Sequence, residues 1–105
     1  MKVIRIGTKA GDFEVMEIDG TLESLQEMVD GYIEPCAPAS LREKGIEMLC
    51  NEEGLLKGLE PNQNLYPFFY VGTCVMVATG AEEFLSLSDQ QIDYILTWLK
   101  WNLEH

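Results

Sequence analysis

The stretch Cys74-Val75-Met76-Val77-Ala78 is apolar at every position. A strand with one wet face alternates apolar and polar residues, whereas a continuous apolar run is typical of a strand covered on both faces. A second hydrophobic run, Phe68–Tyr70, precedes it, and Gly72 lies between the two runs as a candidate bulge or bend. We therefore predict a central strand over residues 73–79, with other parts of the chain packed on both sides of it.

Five shorter runs nearer the N-terminus are further strand candidates. Val3–Ile6 and Phe13–Ile18 are rich in branched and aromatic residues, and a glycine-containing turn between them predicts an antiparallel hairpin. Tyr32–Cys36 is a short strand candidate. Ile46–Cys50 alternates as a half-buried strand does, and Leu55–Leu59 is a candidate partner strand for it. Residues 37–44, which include a proline, are predicted to form a loop.

The first predicted helix is amphipathic and has an acidic outer face. Thr21 can cap its N-terminus, and the apolar pattern continues to about Val29, where Gly31 is placed to end it. Carboxylates one turn apart are separated by about 6 Å along the axis. That spacing is on the order of two phosphate steps along one DNA strand. We call this acidic outer face the acidic ridge; its residues are Glu23, Glu27 and Asp30. The acidic ridge is either an ordinary solvated face or a DNA mimic that binds a basic DNA-processing enzyme.

The second predicted helix carries aromatic residues opposite its aliphatic core face. Ser88 and Gln91 have the spacing of a capping box and open the helix, which runs to roughly Lys100. An exposed helix face is normally polar, so aromatic rings there need another covering surface. Either the segment 66–70 or a terminal segment folds over them, or they bind a partner or a second copy of the chain. The aromatic residues are Tyr94, Trp98 and Trp101.

The connection over residues 49–65 is rich in side-chain amides, which both donate and accept hydrogen bonds. Such residues commonly cap turns. The alternative is a pocket for a polar small molecule, formed by Asn51, Asn62, Gln63 and Asn64.

Length and charge limit the classes of function. The 105 residues predict one domain over residues 1–102, with residues 103–105 interpreted as an expression-tag remnant. A net charge of −11 argues against direct binding of nucleic acid and of anionic membranes. Met1 leads directly into a strand-like run without an apolar signal region, which predicts a cytoplasmic protein.

Residue types that carry catalysis are scarce. The one histidine lies in the presumed tag remnant, and no glycine-rich phosphate-binding motif occurs. The three cysteines lack a C-x-x-C pairing and are interpreted as buried structural thiols. We expect no catalytic residues, no metal and no cofactor, and therefore a protein that is not an enzyme.

Segments along nearly the whole chain resemble a bacterial and phage family known as domain of unknown function 3846 (DUF3846). The resemblance rests on residues 1–6, 17–26, 31–34, 50–54, 59–62, 71–73 and 86–92. It implies a small protein of bacteria, phages or mobile elements, in a family in which some members are joined to antirestriction-type sequences. It implies no catalytic residues.

These observations predict a single α+β domain, with a mostly antiparallel or mixed sheet of about five strands and two main helices. The favoured function is non-catalytic binding of a protein partner or formation of a homo-oligomer, through the aromatic face of the last helix. DNA mimicry by the acidic ridge and polar-ligand binding by the amide-rich loop are the alternatives.

Overall fold

The computed structural model describes residues 1–104. Its strands form one antiparallel sheet. The sheet order is β2-β1-β5-β4-β3, and β6 pairs with the end of β5. The predicted α+β class is confirmed; the sheet has six strands among the described residues, and each pairing is antiparallel. The elements in chain order are β1 (Lys2–Ile6), β2 (Phe13–Glu17), α1 (Leu22–Val29), β3 (Ile33–Pro35), α2 (Ala39–Arg42), β4 (Ile46–Asn51), β5 (Cys74–Thr79), β6 (Phe84–Leu85) and α3 (Asp89–Glu104).

The strands β4 and β5 lie at the centre and are covered on both faces. Helix α3 packs on one face through Ile92, Ile95 and Leu99. Helix α1 packs on the other face through Leu25 and Val29. The prediction of a doubly covered strand at residues 73–79 is therefore confirmed for β5.

The expectation of a half-buried strand at Ile46–Cys50 is wrong, because all six residues of β4 are buried. Its one charged residue, Glu47, is tolerated inside because its carboxylate is fully engaged. That carboxylate accepts hydrogen bonds from the Ala37 N–H at 2.9 Å and from Arg42 Nε at 3.1 Å. Burial of Glu47 thus depends on the segment around α2.

The predicted N-terminal hairpin is confirmed. Strands β1 and β2 pair with Ile4 opposite Val15. Arg5 reaches across the hairpin to Asp12, with 2.6 Å between Nη2 and Oδ1, and this contact holds the pKa of the Asp12 carboxyl below its usual range. The hairpin leaves β2 as one edge of the sheet.

Both predicted helix starts are confirmed by their capping bonds. Thr21 Oγ1 accepts from the Ser24 N–H at 3.1 Å. At the start of α3, the Gln91 N–H donates to Ser88 Oγ at 3.1 Å, and the Ser88 N–H donates to Gln91 Oε1 at 2.9 Å. The first helix ends at Val29, as predicted, but its left-handed capping residue is Asp30, at φ 59°, and not Gly31.

The last helix is longer than predicted, since it continues past Lys100 to Glu104. Two residues of the presumed tag remnant, Leu103 and Glu104, therefore belong to α3. The third, His105, lies outside the described residues.

Two connections differ from their predictions. The segment 37–44 is not wholly a loop, because Ala39–Arg42 forms a single helical turn after Pro38. Leu55–Leu59 is a series of turns and not a strand. The physical reason is that β3 and β5 already occupy both edges of β4 and leave no place for a further strand. Gly72 is a bend at φ 75°, a conformation that favours glycine.

Candidate functional site

Asn64 joins its loop to the β1–β2 turn. It is fully buried. Its Nδ2 donates to the carbonyl oxygens of Gly7 and Lys9, each at 2.8 Å, and its Oδ1 accepts from the Gly11 N–H at 2.8 Å. All these partners are backbone groups of the hairpin turn, so the side chain fixes the turn conformation.

Asn62, two residues earlier in the chain, also bonds backbone groups. Its Nδ2 donates to the carbonyl of Gly72 at 2.9 Å and to that of Ile6 at 3.2 Å. Its Oδ1 accepts from the N–H of Asn64 at 3.1 Å. The two buried asparagines therefore form one internal clasp between the loop and the sheet.

The other two amides of the predicted ligand loop lie apart from this clasp. Asn51 donates to the carbonyls of Val29 and Asp30, each at 3.0 Å, and so caps the C-terminus of α1. Gln63 is exposed and accepts from the Ala10 N–H at 3.2 Å. The structure thus does not bring the four amides to a common cavity, and their polar groups serve backbone partners.

The acidic ridge lies on the outer face of α1, as its helical spacing predicts. Glu23, Glu27 and Asp30 are all exposed. None of the ion pairs found within residues 1–104 includes any of the three. The ridge is therefore available to solvent or to a basic partner.

The aromatic residues of α3 have three different environments. Tyr94 is partly buried, with Lys44 Nζ 5.0 Å from the centre of its ring. Trp98 is also partly buried, and its ring lies 6.2 Å from that of Phe68. Trp101 is 58% exposed. The segment 66–70 therefore supplies part of the cover for the helix, as one of the two sequence interpretations expected.

A groove of about 450 Å³ opens beside the outer edge of the sheet. Its walls come from the region of β3, the end of β4 with the turns that follow it, and residues 69–71. Residues that define it include Glu34, Cys36, Leu55, Leu56, Phe69 and Tyr70.

The apolar side chains at the mouth of the groove are unusually open to solvent. Leu55 is 71% exposed, Leu56 is 88% exposed and Phe69 is 70% exposed. The turns place them there, because the Gly54 N–H bonds the Asn51 carbonyl and the chain reverses immediately after β4. Neighbouring exposed apolar residues of this size are typical of an interaction surface.

Ring contacts connect the groove to the last helix. The Tyr70 ring, which lines the groove, lies 6.4 Å from that of Phe68, and Phe68 in turn contacts Trp98. We call Leu55, Leu56, Phe68, Phe69, Tyr70 and Trp98 the apolar strip. It joins part of the aromatic face predicted from sequence to a surface that the sequence interpretation missed.

Carboxylates surround the groove. Glu34, Glu52 and Glu53 line it and are exposed. Inside, the Tyr70 hydroxyl donates to the Cys36 carbonyl oxygen at 2.6 Å, and burial raises the pKa of Tyr70 to about 12. The groove thus combines a negative rim with an apolar interior and a phenol that stays protonated.

One sequence signal could have revealed this surface. Leu55 and Leu56 are adjacent and lie between Gly54 and Gly58. Glycines so close together indicate successive turns, and adjacent leucines in a surface turn are difficult to bury together. The interpretation as a strand concealed that signal.

The described residues offer no group of three or more His, Cys, Asp or Glu side chains arranged to hold a metal ion. Of the helices in residues 1–104, none has the length and apolar character required to cross a bilayer.

Comparison with curated proteins and with solved structures finds no match. The family model described as Domain of unknown function (DUF3846) matches residues 1–100. That match covers almost the entire chain and agrees with the resemblance seen in the sequence. The chain therefore belongs to the DUF3846 family.

Proposed function

We propose that this protein is a non-catalytic binding module that takes a segment of a partner protein onto its apolar strip and into the adjoining groove. The partner segment carries apolar side chains next to lysine or arginine. The observation that carries the proposal is the exposure of Leu55, Leu56 and Phe69 beside a rim of carboxylates.

The apolar residues supply the affinity in this proposal. Burial of apolar side chains on binding contributes a favourable free energy of about 25 cal/mol for each Å² of apolar surface removed from water. Aromatic residues are favoured anchors at the centres of interfaces, and Phe69 and Trp98 are suited to that role.

The carboxylates supply the selectivity. Glu34, Glu52 and Glu53 attract a basic segment and repel an acidic one, and the net charge of −11 acts in the same direction over longer distances. The same charges oppose contact between two copies of this groove. We therefore favour a basic partner over a homo-oligomer formed through it.

Selection from a displayed library of random peptides tests the proposal. We expect enrichment of peptides that combine apolar residues with lysine or arginine, and we expect their binding to weaken as salt rises. The double variant Leu56→Ser/Phe69→Ser should lose this binding. Leu22→Ser is the matched control, because Leu22 is 57% exposed but lies on α1.

Three results would count against the proposal. They are enrichment without basic residues, unchanged binding by the double variant, and equal loss of binding by Leu22→Ser. Sedimentation of the wild type and of Trp98→Glu examines the homo-oligomer. If the wild type is a dimer and the Trp98→Glu variant is a monomer, the partner is a second copy of the chain and not a segment of another protein.

DNA mimicry by the acidic ridge is the second candidate, and it is supported by the exposure of Glu23, Glu27 and Asp30 without ion pairs in the described chain. Its test is salt-sensitive binding to a basic DNA-processing enzyme. The wild type should bind, and a Glu23→Gln/Glu27→Gln/Asp30→Asn variant should not. Equal binding by both proteins would reject mimicry and leave the groove proposal unaffected.

A further inference from the structure

Strand β2 forms one edge of the sheet, and alternate residues of it direct their main-chain groups outward. In an antiparallel pair, residues that exchange hydrogen bonds alternate with residues that do not. Met1 and Ile18 exchange two main-chain bonds, at 2.8 and 2.9 Å, beside the start of β1. Beyond the other end of β1, the Gly7 N–H donates to the Asp12 carbonyl at 2.8 Å. The alternation between these bonded pairs leaves outward groups on Phe13, Val15 and Glu17.

These outward groups have one hydrogen bond between them in the part of the chain that the structure describes. The Phe13 N–H turns back to the Gly11 carbonyl at 3.1 Å, so Phe13 offers only its own carbonyl. Val15 and Glu17 each offer both an N–H and a C=O. An exposed row of this kind is able to pair with another extended chain.

The opposite edge of the sheet is less able to accept a strand. Strand β3 has only three residues and includes Pro35, which has no N–H to donate. After it, the Ala37 N–H donates to the buried Glu47 carboxylate at 2.9 Å. Strand β2 has five residues and no proline, so it is the edge better suited to an added strand.

The side chains around the β2 edge favour a basic segment. Residues 12–19 contain four carboxylates and no lysine or arginine. Among them, Val15 is 43% exposed and offers an apolar contact. The β2 strand of a second copy would bring the same carboxylates to the edge, and this like charge opposes self-pairing.

Strand β1 shows which side chains suit β2, because it pairs with the inner side of the same strand. Lys2 lies opposite Glu17. Arg5 lies opposite Glu14, with 3.4 Å between Nε and Oε1. The order of residue types along β1 is basic, apolar, apolar, basic, apolar, in Lys2-Val3-Ile4-Arg5-Ile6. An antiparallel strand in the same register on the outer side would meet the same side chains of β2.

We propose that the outer edge of β2 binds an extended segment of a partner protein as an additional antiparallel strand, and that this segment repeats the residue pattern of β1. Its central apolar residue lies opposite Val15 and exchanges two main-chain hydrogen bonds with it. Its first basic residue lies opposite Glu17 and its second lies opposite Glu14. This edge and the groove are at opposite ends of the sheet, so the inference goes beyond the proposed function and does not depend on it.

A synthetic peptide Lys-Val-Ile-Arg-Ile with blocked ends is the probe. Binding to the full chain, followed by nuclear magnetic resonance, should slow hydrogen exchange at the Val15 and Glu17 amides. A peptide with glutamate in place of both basic residues should bind at least about tenfold more weakly, because like charges then face each other. Equal affinity of the two peptides, or protection of amides only at residues 54–56, would overturn the proposal.

Methylation of single peptide nitrogens tests the main-chain pairing without a change in the protein. Methylation at the third residue removes the donor to the Val15 carbonyl and should weaken binding about tenfold. The same change at the fourth residue is the matched control, because that N–H points away from β2 and binding should be retained. Equal effects at the two positions would rule out strand addition.

Variants of the protein separate this edge from the groove. Val15→Pro removes only the outward N–H and should weaken peptide binding, whereas Val15→Thr keeps that N–H and should bind as the wild type does. Leu56→Ser/Phe69→Ser should also retain binding. Loss of binding in that double variant would assign the peptide to the groove and overturn the proposal. A wild-type dimer that Val15→Pro dissociates would overturn it in favour of a second copy.

Discussion

The ring of Phe68 lies 6.2 Å from that of Trp98, with an angle of 33° between their planes. This contact joins a loop near the groove to the helix that covers one face of the sheet. It also explains how α3 carries aromatic residues outside its aliphatic core face, since part of that side is covered by the chain itself. The contact is thus both a structural support and one end of the apolar strip.

Removal of the Phe68 ring should expose Trp98. In a Trp101→Phe background, Phe68→Ala should shift tryptophan emission to longer wavelength and lower the free energy of unfolding by about 1 kcal/mol. Phe69→Ala is the control, because that ring is 70% exposed and should change neither quantity appreciably. Unchanged emission in the Phe68 variant would show that the ring does not shield Trp98.

Loss of the Asn64 clasp should destabilise the fold. Asn64→Ala leaves the carbonyls of Gly7 and Lys9 and the N–H of Gly11 without their partner. Each unsatisfied buried group costs about 1–3 kcal/mol, so we expect urea denaturation to show a loss of at least about 2 kcal/mol. Gln63→Ala removes one exposed hydrogen bond and should cost less than about 1 kcal/mol. Similar losses in the two variants would contradict the buried clasp.

Asp30 is predicted to be a site where substitution stabilises the protein. It adopts φ 59° and places a negative charge at the C-terminus of α1, and both features are unfavourable. Asp30→Gly should raise the free energy of unfolding by about 1 kcal/mol, as measured by thermal or chemical denaturation. Asp30→Ala removes the charge but keeps a Cβ in the left-handed conformation, so it should gain less. A greater gain from alanine would mean that charge, and not backbone conformation, dominates.

Alkaline conditions should weaken the fold through Tyr70. Its pKa is raised to about 12 by burial, whereas an unfolded tyrosine has a pKa of about 10. The unfolded chain therefore loses the phenol proton first. The stabilising contribution is complete below pH of about 10 and is lost as the pH rises toward 12.

The phenolate absorbance provides the measurement. The wild type should show a component that appears only near pH 12, and Tyr70→Phe should lack it. The variant should also lose less stability between neutral and alkaline pH. A late component that persists in Tyr70→Phe would assign it to another tyrosine.

Features that depend on local spacing were predictable from the sequence. The apolar run at residues 74–78, the N-terminal hairpin and the capping box at Ser88 and Gln91 each involve residues close together in the chain. Their conformations follow from periodicity and from side chains that bond nearby backbone groups. The acidic ridge was predictable for the same reason, because helical spacing alone fixes its face.

Whether a side chain is covered was decided by the tertiary structure. The sequence could not show that β4 already has two neighbours, and this arrangement turns Leu55 and Leu56 outward instead of into a strand. Nor could it place Phe68 against Trp98. Local pattern sets the conformation of a segment, but burial depends on which distant segments pack against it. The groove exists only because such segments meet at one edge of the sheet.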